Sequence, residues 1–329
     1  MFQSLSVIIP TYQRTFCLDR LLQHLDKQEW PSDLWDIFIV NDGSNDPEYD
    51  RVLSQPFHVK IEMLHQNHQG AAAARNLGAC RSQADILLFL DDDITVEPQF
   101  IRAIIDEHSH YERAIIMGFF QPYLSGQDPP FRIAYSRYNS FQSGSESVFQ
   151  VPYTDCVSHN LSIKRQHFLE LNMFQDPTNG CGWPNWDDID LAYRAHQEGF
   201  LFIRTTKAVG SHVDYACEDF HTFCQRNFRA GKSAVYLFEK YPDLEQQLPM
   251  FHDKTSSKFF QDPFLLYLRK VFRRVTARKP VITVMEKAIS ILEKKASNSV
   301  VLHQLYRWTN SSYIYNGYRQ GLKEKSLGI

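Results

Sequence analysis

The chain has little cysteine, no long apolar run, no repeat and no low-complexity segment, and each absence narrows what it can be. Six cysteines in 329 residues (Cys17, Cys80, Cys156, Cys181, Cys217 and Cys224) lie far apart without a CxxC pair. That spacing excludes a zinc ribbon or a disulfide-stapled scaffold and reads as reduced thiols. No apolar stretch approaches the ~20 residues that cross a bilayer. Met1-Phe2-Gln3-Ser4 carries no basic segment ahead of an apolar core, so no secretory leader is expected and the expected location is the cytoplasm. No G-x-G-x-x-G follows the first apolar run, which argues against a dinucleotide site.

What is present is the composition of an ordinary globular protein, 43% hydrophobic and 22% charged. A chain this long can bury one large core or two modest ones. Its net charge of −3 conceals an asymmetry. From Lys254 onward there are 15 Lys/Arg against 4 Asp/Glu, a balance of +11, and the preceding residues carry −14. An acidic body joined to a basic tail suggests that the tail meets something anionic. Nucleic acid is not the expected partner, because the body is acidic and no recognition fold is visible.

Short apolar runs alternate with helical patterns. Leu5–Pro10, Ile37–Val40, Val59–Leu64, Ile86–Leu90 and Ala114–Gly118 read as strands. Leu18, Leu21, Leu22 and Leu25, Ala71–Ala79, and Phe100, Ile101, Ile104 and Ile105 fall at helical spacing between them. Alternation of this kind predicts an α/β fold with a mostly parallel sheet and right-handed crossovers. Residues 120–150 show no periodicity and read as a functional loop or insertion. A strand over Val157–Ile163 and a helix from near Arg165 follow. The Gly- and Trp-rich stretch Asn179–Trp186 then leads into a helix with an acidic first turn, Asp187–Arg194. From about Phe220 the chain reads as helical.

The sharpest feature is Leu87-Leu88-Phe89-Leu90-Asp91-Asp92-Asp93, a buried strand ending in three adjacent carboxylates. Ligands of open α/β sheets sit at the carboxyl ends of strands. Three negative charges there call for a cation, and a divalent ion carrying a phosphorylated ligand meets that need. A solvated acidic turn is the bland alternative. Asp91-x-Asp93-x-Thr95 also fits the DxDxT of haloacid-dehalogenase phosphatases, in which the first Asp is a nucleophile. Three strands precede it and no late GDxxxD pair follows, so that reading is disfavoured.

The strand-Pro-Thr-Tyr opening, Asn41-Asp42-Gly43-Ser44, Gly70 through Gly78, Leu90-Asp91-Asp92-Asp93 and Trp186-Asp187-Asp188-Ile189-Asp190-Leu191 occur in order. Together they resemble a family 2 glycosyltransferase of the GT-A fold, over about residues 4 to 215. The resemblance implies an inverting transferase (EC 2.4, hexosyltransferase type) that takes a sugar from a nucleotide diphosphate donor, usually UDP, with Mn²⁺ or Mg²⁺. It places the donor on Thr11, Tyr12, Arg14, Asp42, Arg75, Asp91 and Asp92, with the metal on Asp93 and His212. Asp188 becomes the general base. Trp183, Trp186, Asp187 and Asn160 become contacts for a glycan, lipid-linked or small-molecule acceptor.

Each role has a physical basis beside a plainer reading. Hard cations favour carboxylate oxygen, and imidazole favours Mn²⁺ over Mg²⁺. A carboxylate at Asp42 can accept the imide N–H of uracil, although it can equally cap a turn. Arg75 can face the diphosphate or tie down the acidic cluster. Tryptophans serve as sugar platforms or as core. His65 and His68 lack further ligand spacing and read as loop residues.

The expected division is 1–115 for the donor half and 116–220 for the acceptor half of the GT-A domain, with 221–329 read from its charge and periodicity as a basic helical extension. In that extension Leu268, Val271, Phe272 and Val275 share one helical face, with Arg269, Lys270, Arg273 and Arg274 toward the other. Packing with the charges outward is the first reading. Contact with an anionic membrane at its inner face and attraction of an acidic acceptor are the others.

Overall fold

Leu5–Thr11 (β1) is a run of β-branched and apolar residues buried along its whole length. A strand that dry on both faces belongs to the middle of a sheet. The computed structural model describes residues 3–139, 147–177, 186–213, 215, 219–255, 262–297 and 299–327. The chain divides into two compact units, the first comprising Met1–Tyr123, Ser140–Gln175 and Asp187–Val213 and the second Leu124–Asn139, Asp176–Trp186 and Asp214–Ile329.

In the first unit β1 is followed by α1 (Thr15–Leu25), β2 (Trp35–Asn41), α2 (Glu48–Leu53), β3 (Lys60–His65), α3 (Ala71–Arg81) and β4 (Ile86–Leu90). β5 (Ile94–Val96), α4 (Phe100–His110) and β6 (Ala114–Pro122) come next. α5 (Pro130–Asn139) belongs to the second unit. The first resumes with β7 (Val148–Gln150), β8 (Asn160–Lys164), α6 (Arg165–Glu170), α7 (Asp187–Gln197) and β9 (Leu201–His212). The sheet order is β3-β2-β1-β4-β8-β6-β9-β5, with β7 paired to β9. β1, β2, β3 and β4 are parallel, so Thr11, Asn41 and Leu90 end on one edge.

Side-chain alternation gives the sheet two dry faces. Val7, Ile9, Ile37, Ile39 and Leu88 face the apolar stripes of α1 and α4. On the opposite face Phe89 meets Phe168 and Phe174, each at a ring distance of 5.0 Å. α3 packs there through Gly78, where a Cβ would come within 2.6 Å of Ile8.

The second unit adds α8 (Phe220–Lys240), α9 (Leu244–Gln247), α10 (Phe264–Thr276), α11 (Lys279–Lys295) and α12 (Val300–Ser326). The stretch expected to be an irregular loop, 120–150, contains the end of β6 and all of α5 and β7. α5 is organised by Phe131, whose ring lies 5.2 Å from both Phe220 and Phe223 and 5.3 Å from Tyr306. Aromatic packing from distant parts of the chain fixes this helix, and a local periodicity does not reveal it.

α10 turns inward the basic side expected to face outward. Lys270 and Arg273 point inward, each 7% exposed. Lys270 donates to Asp262 at 2.7 Å, and Arg273 donates to Asp253 at 3.0 and 3.1 Å. Ion pairs with the partly buried Asp253 and Asp262, rather than apolar residues, decide which side of this helix faces in.

Candidate active site

The three carboxylates stand where the carboxyl end of β4 meets those of β1 and β2. Asp92 and Asp93 are each only 4% exposed. Thr11 donates to Asp92 at 2.8 Å, and its hydroxyl also lies 3.1 Å from that of Tyr49. Arg14 reaches both acids, at 3.5 Å from Asp92 and 3.2 Å from Asp93. Burial, joined by repulsion from Asp93 and Asp91, outweighs Arg14 and pushes the Asp92 carboxyl up to about 7.

β5 and β9 bring histidine to the cluster. Ile94 pairs with His212 in their antiparallel register, and Val213 N–H donates to the Asp93 carbonyl at 3.1 Å. His212 Nε2 thereby lies 3.1 Å from Asp93 Oδ1. His159, which no sequence pattern marks, stacks on His212 at 4.7 Å and 23°. Among the described residues no three His, Cys, Asp or Glu side chains gather as a complete metal cage. One carboxylate and one imidazole suit an ion that takes its other ligands from phosphate and water.

Arg75, 4% exposed on α3, links two acidic clusters. Its Nη2 donates to Asp91 at 2.6 Å and its Nη1 lies 3.5 Å from Asp187. Although burial opposes ionisation of Asp91, Arg75, His159 and His212 prevail and hold it below the usual carboxylate range. Arg75 also lies over the Phe174 ring at 5.6 Å. Asn76 fixes that ring's backbone by accepting from Phe174 N–H at 3.0 Å and donating to its carbonyl at 2.8 Å.

Asp187 and Asp188 begin α7, where the helix dipole favours negative charge. The helix is held from behind by Arg194, which pairs with the fully buried Asp190 at 2.7 Å and donates to the carbonyls of Leu171 and Met173. Asp188 accepts from Ile189 N–H at 2.8 Å. Burial first, then repulsion from Asp187, pushes the Asp188 carboxyl up to about 7.

Residues 6–171 match the sequence profile described as glycosyl transferase family 2. The chain belongs to that family.

This family 2 chain is 28% identical over 279 residues to validoxylamine A glucosyltransferase of Streptomyces hygroscopicus subsp. jinggangensis, covering 74% of itself and 62% of that protein. It is 24% identical over 238 residues to glycosyltransferase AglE of Haloferax volcanii, covering 71% and 73%. It therefore spans less than two thirds of the length of the first relative. Its fold is similar to that of mannosyltransferase PcManGT from Pyrobaculum calidifontis, solved with GDP-Man and Mn²⁺. The TM-score is 0.62 at 13% identity, over 97% of this chain and 88% of that one. The fold is GT-A.

Within the family 2 domain some expected contacts are otherwise engaged. Asp42 Oδ1 accepts from Gln66 at 2.7 Å and Gln69 N–H at 2.8 Å. Its Oδ2 accepts from Gly70 N–H at 2.9 Å and lies 2.9 Å from His68 Nδ1. A carboxylate has about four acceptor positions, and these partners fill them. Gly43 lies beneath this loop at φ +89°, where a Cβ would come within 2.8 Å of His68 N. Tyr12, 39% exposed, stacks on His68 at 4.4 Å. His68, expected to be a loop residue, thus contacts both Tyr12 and Asp42.

Asn160 does not present its amide to a ligand. It is 2% exposed, accepts from Gly118 N–H at 2.8 Å and donates to the Gly118 carbonyl at 2.9 Å. These bonds bridge β8 to β6 where the β6–β9 register shifts between Met117 and Phe119. Trp186 is likewise an anchor, its indole N–H 3.1 Å from both the Ala230 carbonyl and the Ser233 hydroxyl of α8. Trp183 lies outside the described residues.

Proposed function

We propose that the chain is an inverting, divalent-metal-dependent transferase that moves a sugar from a UDP-sugar to an acceptor hydroxyl in glycan, polysaccharide or glycoconjugate biosynthesis. The observation that carries this reading is the convergence on buried Arg75 of Asp91, at the end of β4, and Asp187, at the start of α7 beside Asp188. Burial pushes the Asp188 carboxyl up to about 7, where it suits a general base at neutral pH. Asp188 takes the acceptor's proton as its oxygen bonds to the anomeric carbon and the bond to the nucleotide diphosphate breaks on the opposite face. Asp187, braced by Arg75, is assigned to the acceptor.

Asp93 and His212 are the assigned metal ligands, because their donor atoms converge within 3.1 Å and their chemistry suits Mn²⁺ or Mg²⁺. Such an ion, when bound, supplies Lewis-acid neutralisation of the leaving diphosphate. Arg14, which lies on Asp92 and Asp93, is assigned to the same phosphates. Tyr12 is assigned to stack on the base. Asp42 accepts from it once His68 or Gln66 gives way, and Thr11 and Asp91 complete the donor side.

Incubation with Mn²⁺ and a panel of UDP- and GDP-sugars tests the proposal, GDP donors being included because the structural neighbour binds GDP-Man. The expected result is UDP release that Asp93→Ala and Asp188→Ala abolish, with inverted anomeric configuration by NMR. Retained configuration, or release unaffected by EDTA, overturns it.

A further inference from the structure

α10 presents its apolar side outward, the reverse of a helix that covers a globular core. Phe264 and Leu265 are 72% and 70% exposed, and Leu268, Phe272 and Val275 are about half exposed, at 45%, 50% and 46%. Trp308 of α12, 43% exposed, meets Phe272 edge-on at 6.0 Å and extends the patch. The inward side is occupied by Lys270 and Arg273 on Asp262 and Asp253, so burying these cations leaves the apolar stripe facing solvent.

Basic residues frame the stripe. No Asp or Glu occurs from Pro263 through Met285, and Arg269, Arg274, Arg278 and Lys279 are exposed there. We propose that this side of α10 docks the chain on the surface of an anionic phospholipid bilayer. A large apolar face rimmed by Arg and Lys is the pattern of a helix lying in the membrane interface. The Trp308 indole, with an apolar body and an N–H, suits the headgroup level. Among the described residues no helix is long and apolar enough to cross a membrane, so the contact is interfacial. A second copy of the chain is a poorer occupant, because two such faces bring cation against cation with no carboxylate between. Docking of this kind requires neither donor, acceptor nor metal.

Flotation of the full chain with vesicles tests it directly. With phosphatidylglycerol in phosphatidylcholine at low salt the protein floats. With phosphatidylcholine alone, or at high salt, partitioning falls at least about tenfold. The pairs Leu268→Asp with Phe272→Asp and Arg269→Glu with Arg274→Glu each reduce it by at least about tenfold while melting as the parent does. If the first pair unfolds, the second carries the test, since its side chains are exposed. Failure to float with phosphatidylglycerol at low salt overturns the proposal, as does flotation unchanged in the charge-reversal pair. Self-association that the charge-reversal pair alters, without vesicle binding, assigns the face to a second copy instead.

Discussion

Arg75 is hydrogen-bonded to Asp91 at 2.6 Å while its other terminal nitrogen lies 3.5 Å from Asp187. One buried guanidinium therefore joins the acid at the tip of β4 to the acid at the start of α7. The proposed leaving-group side and the proposed acceptor side are braced by a single side chain. Arg75→Met removes the guanidinium that faces both carboxylates. Loss of about 3–5 kcal/mol is expected by urea denaturation, the range for breaking a buried pair. Arg75→Lys recovers only part, because an ammonium cannot span both acids with a planar fork. Stability unchanged in Arg75→Met would show that the bridge is dispensable.

The acids at the edge were legible in the sequence because chemistry there follows strand ends. Apolar runs marked β1, β2 and β4, and a parallel sheet brings their tips together without further information. The partners of those acids were harder to read. Asn160 and Trp186 have residue types that suit sugar binding, yet one mends a sheet irregularity and the other anchors to α8. Which of these a residue does depends on neighbours 42 and 44 positions away along the chain. His68 and His159 give no sequence signal, since their partners, Tyr12 and Asp42 for one and His212 and Phe120 for the other, come from elsewhere in the chain. The inward face of α10 is hidden for a related reason: periodicity identifies two faces of a helix, and the partly buried Asp253 and Asp262 choose between them.

The raised carboxyls of Asp92 and Asp188 oppose activity to stability along the pH axis. Both stand at about 7 in the folded chain, against ~3.9 for an unfolded aspartate. Between those values the folded state binds more protons, so stability falls as pH rises through the window from about 4 to about 7. Asp188 must be ionised to take a proton, so kcat/KM rises as pH passes about 7. Asp188→Asn is expected to flatten part of the stability slope and to lower kcat by about 10²–10⁴-fold. An activity profile flat from pH ~5 to ~8 in the parent chain would remove Asp188 from the role of base.

Thermal shift separates the metal assignment from the fold. At a concentration of about 100 Kd, a ligand bound only by the folded state adds about 2.7 kcal/mol. Mn²⁺ with UDP is expected to raise Tm in the parent chain. In Asp93→Ala and His212→Ala the shift shrinks, because the donor atoms 3.1 Å apart no longer converge. Mg²⁺ gives a smaller shift than Mn²⁺ where imidazole is a ligand. His212→Ala with an undiminished Mn²⁺ shift would leave Asp93 as the sole assigned ligand.

The second unit tests a packing argument that owes nothing to the active site. α8 and α12 approach through glycine. A Cβ at Gly317 would come within 1.9 Å of the Phe228 carbonyl oxygen, and one at Gly321 within 2.3 Å of the Lys232 carbonyl oxygen. Alanine normally stabilises a helix by about 0.8–1 kcal/mol over glycine, so local propensity alone predicts gain from Gly317→Ala. The obstructing atoms are backbone carbonyls, which cannot rotate aside as a flexible side chain would. The helices must separate, and overpacking of this kind costs about 1–3 kcal/mol or somewhat more. The clash exceeds the propensity gain, so Gly317→Ala and Gly321→Ala each lower Tm by several degrees, at about 2–4 °C per kcal/mol. A Tm raised by either substitution would show that the two helices separate freely and that propensity decides the outcome.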